Sequence, residues 1–292
     1  MPHVVCFGEI LWDNFLAGKK PGGAPMNVAL HLYKQGITST LISSIGTDHN
    51  GEELKEFLSG QGLSTAYIQK HNNLPTGTVD ITLDENKQAT YTIAEPVAWD
   101  EIAYNEKLTQ LIKATDALVF GSLACRNPTS RKALLKLLDN AKLSVFDMNL
   151  RPPHFEPTIL KALINKCNIL KINEHELSYL EGIYSLEKDV DTQLKQLSYL
   201  TNTPTICITL GDKGAIILNE GEIQKHPGFQ IEVADTVGAG DAFLAAFLSG
   251  YLQKLPIQQI LVQACATGAL VASKHGANPN YSTGEIEAII KF

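Results

Sequence analysis

Three things are missing from this chain: a CxxC pair, a GxxxxGK[ST] phosphate loop, and any apolar stretch long enough to cross a bilayer. The first absence removes the common cysteine metal sites and dithiol redox centres. Five cysteines remain (Cys6, Cys125, Cys167, Cys207 and Cys265), odd in number, far apart and set among apolar residues. They read as buried thiols of a reducing compartment, not as a disulfide framework. The second absence argues against a P-loop nucleotidase. The third, together with a start Met1-Pro-His-Val-Val-Cys6 that enters a short apolar strand without a basic leader, leads us to expect a cytoplasmic protein. Positive charge is also scarce. Against 31 Asp and Glu stand 24 Lys and Arg, a net charge of −7, which offers no footprint for nucleic acid or an anionic membrane. The expected partner is a small molecule. The eight histidines lack metal-ligand spacing, and no internal repeat, low-complexity tract or charge run occurs.

What is present is a rhythm. Short β-branched runs at 4–10, 38–45, 117–120, 143–148, 169–172 and 205–210 alternate with helical patterns at 25–35, 52–61, 130–140 and 158–165. Such alternation predicts a mostly parallel sheet covered by helices on both faces, with ligands at the carboxyl ends of the strands. Asp13, Asn149, Asn173 and Gly211 each follow a strand candidate, so they should converge on one rim. Two segments break the rhythm. Residues 76–84 and 89–94 flank a turn at 85–88 and alternate with period two, as a hairpin with one polar face does. Residues 214–224, around Asn219-Glu-Gly221, read as a second hairpin at the end of the sheet. Residues 282–292 read as a closing helix.

The most informative stretch is Asp235-Thr-Val-Gly238-Ala-Gly240-Asp241, which runs straight into an apolar helix. Two glycines let the backbone curl so that successive N–H groups face one way, and the helix start adds unpaired amides and the positive end of its dipole. The result is a nest for an anion, most often phosphate. Asp241 then lies where a carboxylate could take a proton from a hydroxyl attacking a phosphoryl group. The same residues would also serve as an ordinary Asp-capped helix after a glycine turn. In the amino-terminal third, Gly22-Gly23-Ala-Pro25-Met-Asn27 opens another helix with glycines, a proline and an amide.

Taken together these two blocks resemble the signatures of the PfkB (ribokinase-like) family of sugar and nucleoside kinases. The resemblance runs in order along nearly the whole chain, through Gly8-Glu9-Ile-Leu-Trp12-Asp13, Gly46-Thr-Asp48 with Gly51, Asp147-Met-Asn149-Leu-Arg151-Pro, Asn173-Glu-His-Glu176 and Thr209-Leu-Gly211-Asp-Lys-Gly214. It implies a single domain over 1–292, a three-layer αβα sandwich with a mostly parallel central sheet, and a small β-lid formed by about 11–20 and 76–94. It also implies ATP and Mg2+, with Asp241 as base and the amides around Gly238, Ala239 and Gly240 as anion hole. Asn173 and Glu176 match an element that orders magnesium through water, though an ordinary capping box has the same spacing. Lys171 is placed to reach a phosphate or to remain solvated. Thr209, Gly211 and Gly214 match the nucleotide loop, and Gly268 falls in a small-residue helix that either borders adenine or simply packs closely. On the sugar side the resemblance points to Asp13, Gly23, Asn27, Asn149 and Arg151, with Arg126 as a further contact or a surface arginine. Many members hold a monovalent cation, here K+ at Asp235 and the stretch around Ser273 to Gly276. Within the family the motifs look most like bacterial fructokinases, with 2-keto-3-deoxygluconate kinase and ribokinase as alternatives. A non-catalytic sugar-binding regulator on the same fold is the alternative from another class. An exposed lid edge invites a homodimer.

Overall fold

The computed structural model describes residues 1–15, 18–83 and 89–291, and the side chains of these outside 81–91. Strand β1 (His3–Phe7) is a Val-Val-Cys-Phe run buried on both faces. It stops three residues before the expected Ile10, because Gly8 adopts a φ of 148° and the chain turns off the sheet beside Pro25. There follow β2 (Leu11–Phe15), β3 (Gly18–Gly22), α1 (Ala24–Lys34), β4 (Thr38–Gly46), α2 (His49–Gly60), β5 (Ile68–His71), β6 (Gly77–Leu83), β7 (Ala89–Ile93), α3 (Glu106–Ala114) and β8 (Ala117–Gly121). The second half comprises α4 (Pro128–Leu138), β9 (Ser144–Asp147), α5 (Pro157–Ile164), β10 (Ile169–Asn173), α6 (Glu174–Tyr184), α7 (Val190–Thr201), β11 (Thr205–Thr209), β12 (Ala215–Asn219), β13 (Glu222–His226), α8 (Ala239–Leu252), α9 (Ile257–Ala272) and α10 (Thr283–Lys291).

Among the described residues nine strands form the large sheet, in the order β13-β12-β11-β10-β9-β8-β1-β4-β5. All pairs from β11 to β5 are parallel, and β12 and β13 close one edge as the expected antiparallel hairpin. The pleat sends alternate residues to opposite cores. Val5 and Phe7 of β1 join Leu118, Phe120 and Phe146 under α3 to α7, where Leu108, Leu134, Leu160, Leu177 and Leu194 meet them. Val4 and Cys6 join Val119 and Val145 under α1, α2, α8 and α9, through Met26, Leu54, Phe247 and Leu261. This is the expected three-layer sandwich. All five cysteines are buried free thiols.

The four remaining strands make a separate small sheet, in the order β3-β2-β6-β7. Both segments expected to form the lid therefore lie in one sheet, joined by the parallel pairing of β2 with β6. The turn expected at 85–88 lies outside the described residues. The root of the small sheet is bolted to the start of α2 at Asp48, which caps α2 at Gly51 N (2.9 Å) and also accepts from Thr76 N (2.8 Å) and Thr76 Oγ1 (2.6 Å).

Candidate active site

The apolar helix α8 starts at Gly238, which takes a φ of 80° and offers no side-chain cap. The backbone of Ala277 lies so close that a Cβ at Gly238 would meet its carbonyl oxygen at 2.4 Å, which excludes any larger residue. Among the described residues the amides of Gly240 and Asp241 have no acceptor. Two free donors and the positive helix end thus face the same side. Asp241 stands in this first turn, and its Oδ2 accepts from Asn27 Nδ2 at 2.7 Å. Burial pushes its carboxyl up to about 7, with Asp147 adding to the rise while Lys171, Asn27 and Arg151 pull the other way.

Beneath the turn lies Lys171 of β10, which the parallel register brings level with Asp147 of β9. It is not a solvated lysine: only 7% of it is exposed, its Nζ donates to Asp147 Oδ1 at 2.8 Å, and a Cβ on Gly240 would stand 3.3 Å from that nitrogen. Burial alone would lower its pKa, but Asp147, Glu176 and Asp241 outweigh burial and hold the ammonium above its ordinary value. Asp147 keeps its Oδ2 buried and without a partner among the described residues. Asn173 and Glu176 form a reciprocal cap on α6. Asn173 Oδ1 accepts from Glu176 N at 3.0 Å and Glu176 Oε2 from Asn173 N at 2.9 Å, while Glu176 Oε1 reaches Leu150 N at 2.8 Å. The carboxylate thereby ties β10 to the loop after β9.

That loop carries the sugar-side candidates. Asn149 sits at a φ of 39°, a strained value for a residue with a side chain. Arg151 is exposed, yet its charge acts on Glu9, Asp13 and Asp241. Asp13 of β2 rests against Gly22, where a Cβ would lie 2.3 Å from its Oδ2, and burial raises its pKa to about 6 against the pull of Arg151. Gly23 caps α1 at a φ of 114° with Glu9 O only 2.4 Å from where its Cβ would be. The structure therefore brings Asp13, Gly23, Asn27, Arg151, Lys171 and Asp241 to one rim.

Arg126, just after β8, has partners of its own. Its side chain is 3% exposed, stacks on Trp99, donates to Asp100 at 2.7 and 2.8 Å and to Ala94 O, and lines a cavity of about 270 Å3 with Ser122 and His154. It is therefore not a surface arginine. Thr209 closes β11, and Gly211 and Gly214 bound the turn after it with φ of 62° and 86°. Gly268 marks where α9 crosses α8, its missing Cβ 3.2 Å from Ala239 O, so close packing explains it. Asp235 braces the turn, accepting from Val237 N and Gly276 N, both at 3.0 Å. The sequence motifs include Glu9 and Asp147 without marking a role for either, and leave Asn278 out. Asp147 was within reach, as the buried acid opposite a lysine on the neighbouring strand.

Free amides at a helix start, a buried lysine beneath them and a carboxylate in the first turn suit phosphoryl transfer, which needs positioning and charge stabilisation more than covalent chemistry. Comparison with known proteins agrees. A family model for the pfkB family of carbohydrate kinases matches residues 6–283. The chain is 32% identical to the uncharacterized sugar kinase PH1459 of Pyrococcus horikoshii, over 97% of this chain and 89% of that protein. It is 29% identical to fructokinase-1 of Oryza sativa subsp. japonica, over 98% of this chain and 96% of that one. The crystal structure of a Xylella fastidiosa fructokinase with bound ATP has the same fold, with a TM-score of 0.88 at 21% identity, covering 99% of this chain and 98% of that one. The protein thus belongs to the pfkB family of carbohydrate kinases, ATP-dependent phosphotransferases of the ribokinase-like α/β fold. No helix among the described residues is long and apolar enough to cross a membrane.

Proposed function

We propose that this protein is a cytoplasmic, single-domain kinase that transfers the γ-phosphoryl group of ATP to the terminal hydroxyl of D-fructose, giving fructose 6-phosphate. The observation that carries the reading is Asp241, held at a pKa of about 7 beside the free amides of α8 and the buried Lys171. Asp13, Gly23, Asn27 and Asn149 hold the sugar, because a carboxylate and amides match vicinal hydroxyls. Asp241 takes the hydroxyl proton as the new P–O bond forms and the bond from the γ-phosphorus to the leaving ADP oxygen breaks, while the free amides of Gly240 and Asp241 and the Lys171 ammonium stabilise charge on the transferred group; the Ala239 amide is already given to Thr236 O. Thr209, Gly211 and Gly214 border the nucleotide, and the small sheet closes over the sugar to exclude water. Fructose is favoured because relatives named fructokinase match almost the whole chain at 26% to 29% identity.

Mg2+ fits here without a protein cage. No group of three His, Cys, Asp or Glu among the described residues could hold a metal, but Asp147 Oδ2 is a buried oxygen without a partner beside Lys171. Asp147, with Asn173 and Glu176, would hold its waters, and the ion would neutralise charge on the β- and γ-phosphates. Potassium belongs to the same reading, held behind the anion hole at Asp235 and the 273–276 backbone; rates equal in K+ and in a large organic cation would refute that site. The deciding experiment incubates the protein with ATP, Mg2+ and fructose, 2-keto-3-deoxygluconate, ribose and other sugars, and identifies the phosphorylated product. The sugar acid belongs in the panel because Arg151 is an exposed cation whose charge reaches Asp13. No turnover with any sugar, despite sugar binding, would favour a non-catalytic binding protein.

A further inference from the structure

The residues 277–281, between α9 and α10, are locked onto one face of α1. Asn27, His31 and Lys34 recur on that face at helical spacing. His31 is fully buried; its Nε2 lies 2.9 Å from Ala277 O and its Nδ1 2.9 Å from Tyr281 Oη. A carbonyl can only accept, so Nε2 carries the proton and Tyr281 donates to Nδ1. Burial lowers the pKa of this imidazole to about 4, so it stays neutral. One turn on, Lys34 Nζ donates to Asn278 O at 2.8 Å and to Pro279 O at 3.0 Å. These contacts hold the backbone of Asn278 and Pro279, and the Asn278 side-chain Nδ2 donates to Asn27 Oδ1 at 2.6 Å.

An amide has one accepting end and one donating end. With its oxygen taken by Asn278, Asn27 must turn its NH2 toward Asp241, where the 2.7 Å bond is seen. We infer that Asn278 is a positioning residue for phosphoryl transfer, acting through Asn27 by fixing which end of that amide meets the Asp241 carboxylate. The same segment also presses on Gly238 through Ala277, so the anion turn and the base are set by one piece of chain. An amide turned the other way would place a carbonyl oxygen against the carboxylate, and Asp241 would then keep its proton. The other groups bearing on Asp241 are Asp147 from β9, Lys171 from β10, Arg151 from the loop after β9 and Cys6 from β1. Gly268, where α9 crosses the start of α8, brings no charge.

The inference rests on Asp241 being the base only in its rate readout, and the test separates the two. In the full-length protein, Asn278→Leu removes the donor at similar volume, and Asn278→Ala does so without bulk should the first fail to fold. The Asp241 carboxyl is titrated by 13C NMR, and kcat/KM is followed against pH with whichever sugar is turned over fastest. The Asp241 midpoint should move up by about one pH unit. kcat/KM at pH 7 should fall by up to about tenfold and recover as pH rises, with KM for ATP unchanged. A midpoint that stays put in a variant melting like wild type overturns the inference, as does a loss of rate equal at every pH. A midpoint that moves while the pH profile does not supports the positioning by Asn278 and removes Asp241 from the role of base.

Discussion

At the scale of single residues, the group with most to report is Asp241. Its carboxyl, raised to about 7 by burial, is only part ionised at neutral pH. kcat/KM should therefore rise with pH through this region, and Asp241→Asn should lower kcat by about two orders of magnitude or more while sugar binding persists. Near-normal turnover in that variant would remove Asp241 from the chemistry. The same shift has a sign in stability. The folded protein binds this proton more tightly than the unfolded chain, so the contribution is fully present below the unfolded pKa and lost as pH rises through about 7. Asp241→Asn, which cannot ionise, should melt above wild type at pH 8 and much closer to it at pH 4; equal differences at both would contradict the buried-acid account. Lys171 presents the opposite case. Lys171→Met leaves the buried Asp147 uncompensated and should cost about 3–5 kcal/mol in urea unfolding.

Among the elements, the small sheet depends on its root. Asp48 caps α2 and also holds Thr76 at the entrance to β6, through hydrogen bonds that depress its pKa although burial pulls upward. Asp48→Ala should cost about 1–2 kcal/mol as a lost cap and should also raise KM for the sugar while leaving that for ATP in place. Equal effects on both substrates would mean that Asp48 merely supports the fold. Excising residues 79–93 through a short glycine linker, which spares that root, should raise ADP release relative to sugar phosphate formed. An unchanged ratio with unchanged sugar affinity would make the hairpin a subunit contact. At the start of α6, Glu176→Gln should raise the magnesium needed for half-maximal rate; an unaltered requirement leaves Glu176 as cap and tie alone. Elements were legible where the chain announces them locally. The alternating 76–94 stretch and the Gly238-Ala-Gly240-Asp241 turn carry their meaning in consecutive residues. β1 is shorter than its apolar run predicts because Ile10 and Leu11 are as apolar as the strand before them, and only the backbone at Gly8 parts the two sheets.

Across the whole molecule, the α/β rhythm was enough to place a parallel sheet, because crossover connections bring strand ends together whatever lies between. What stayed hidden are pairings over long sequence distances. Asn278 and Asn27 meet across 251 positions, and Arg126 meets Asp100 inside the fold, with nothing in either neighbourhood to foretell it. Among the described residues no further strand lies beside β3 or β7, which fits the homodimer expected from the sequence. Light scattering should then show the 79–93 deletion as a monomer and the intact chain as a dimer, and the same mass per chain for both would argue against pairing there.

The five buried thiols have a use that has nothing to do with catalysis. Spread from β1 to α9 and all closed to solvent, with burial pushing every one of them toward the unreactive protonated form, they touch both hydrophobic layers of the molecule. A thiol reagent added to the native enzyme can modify a given cysteine only as often as its surroundings come apart. Read one site at a time by mass spectrometry, the labelling rates form a map of which layer opens first, drawn with reporters the chain already contains.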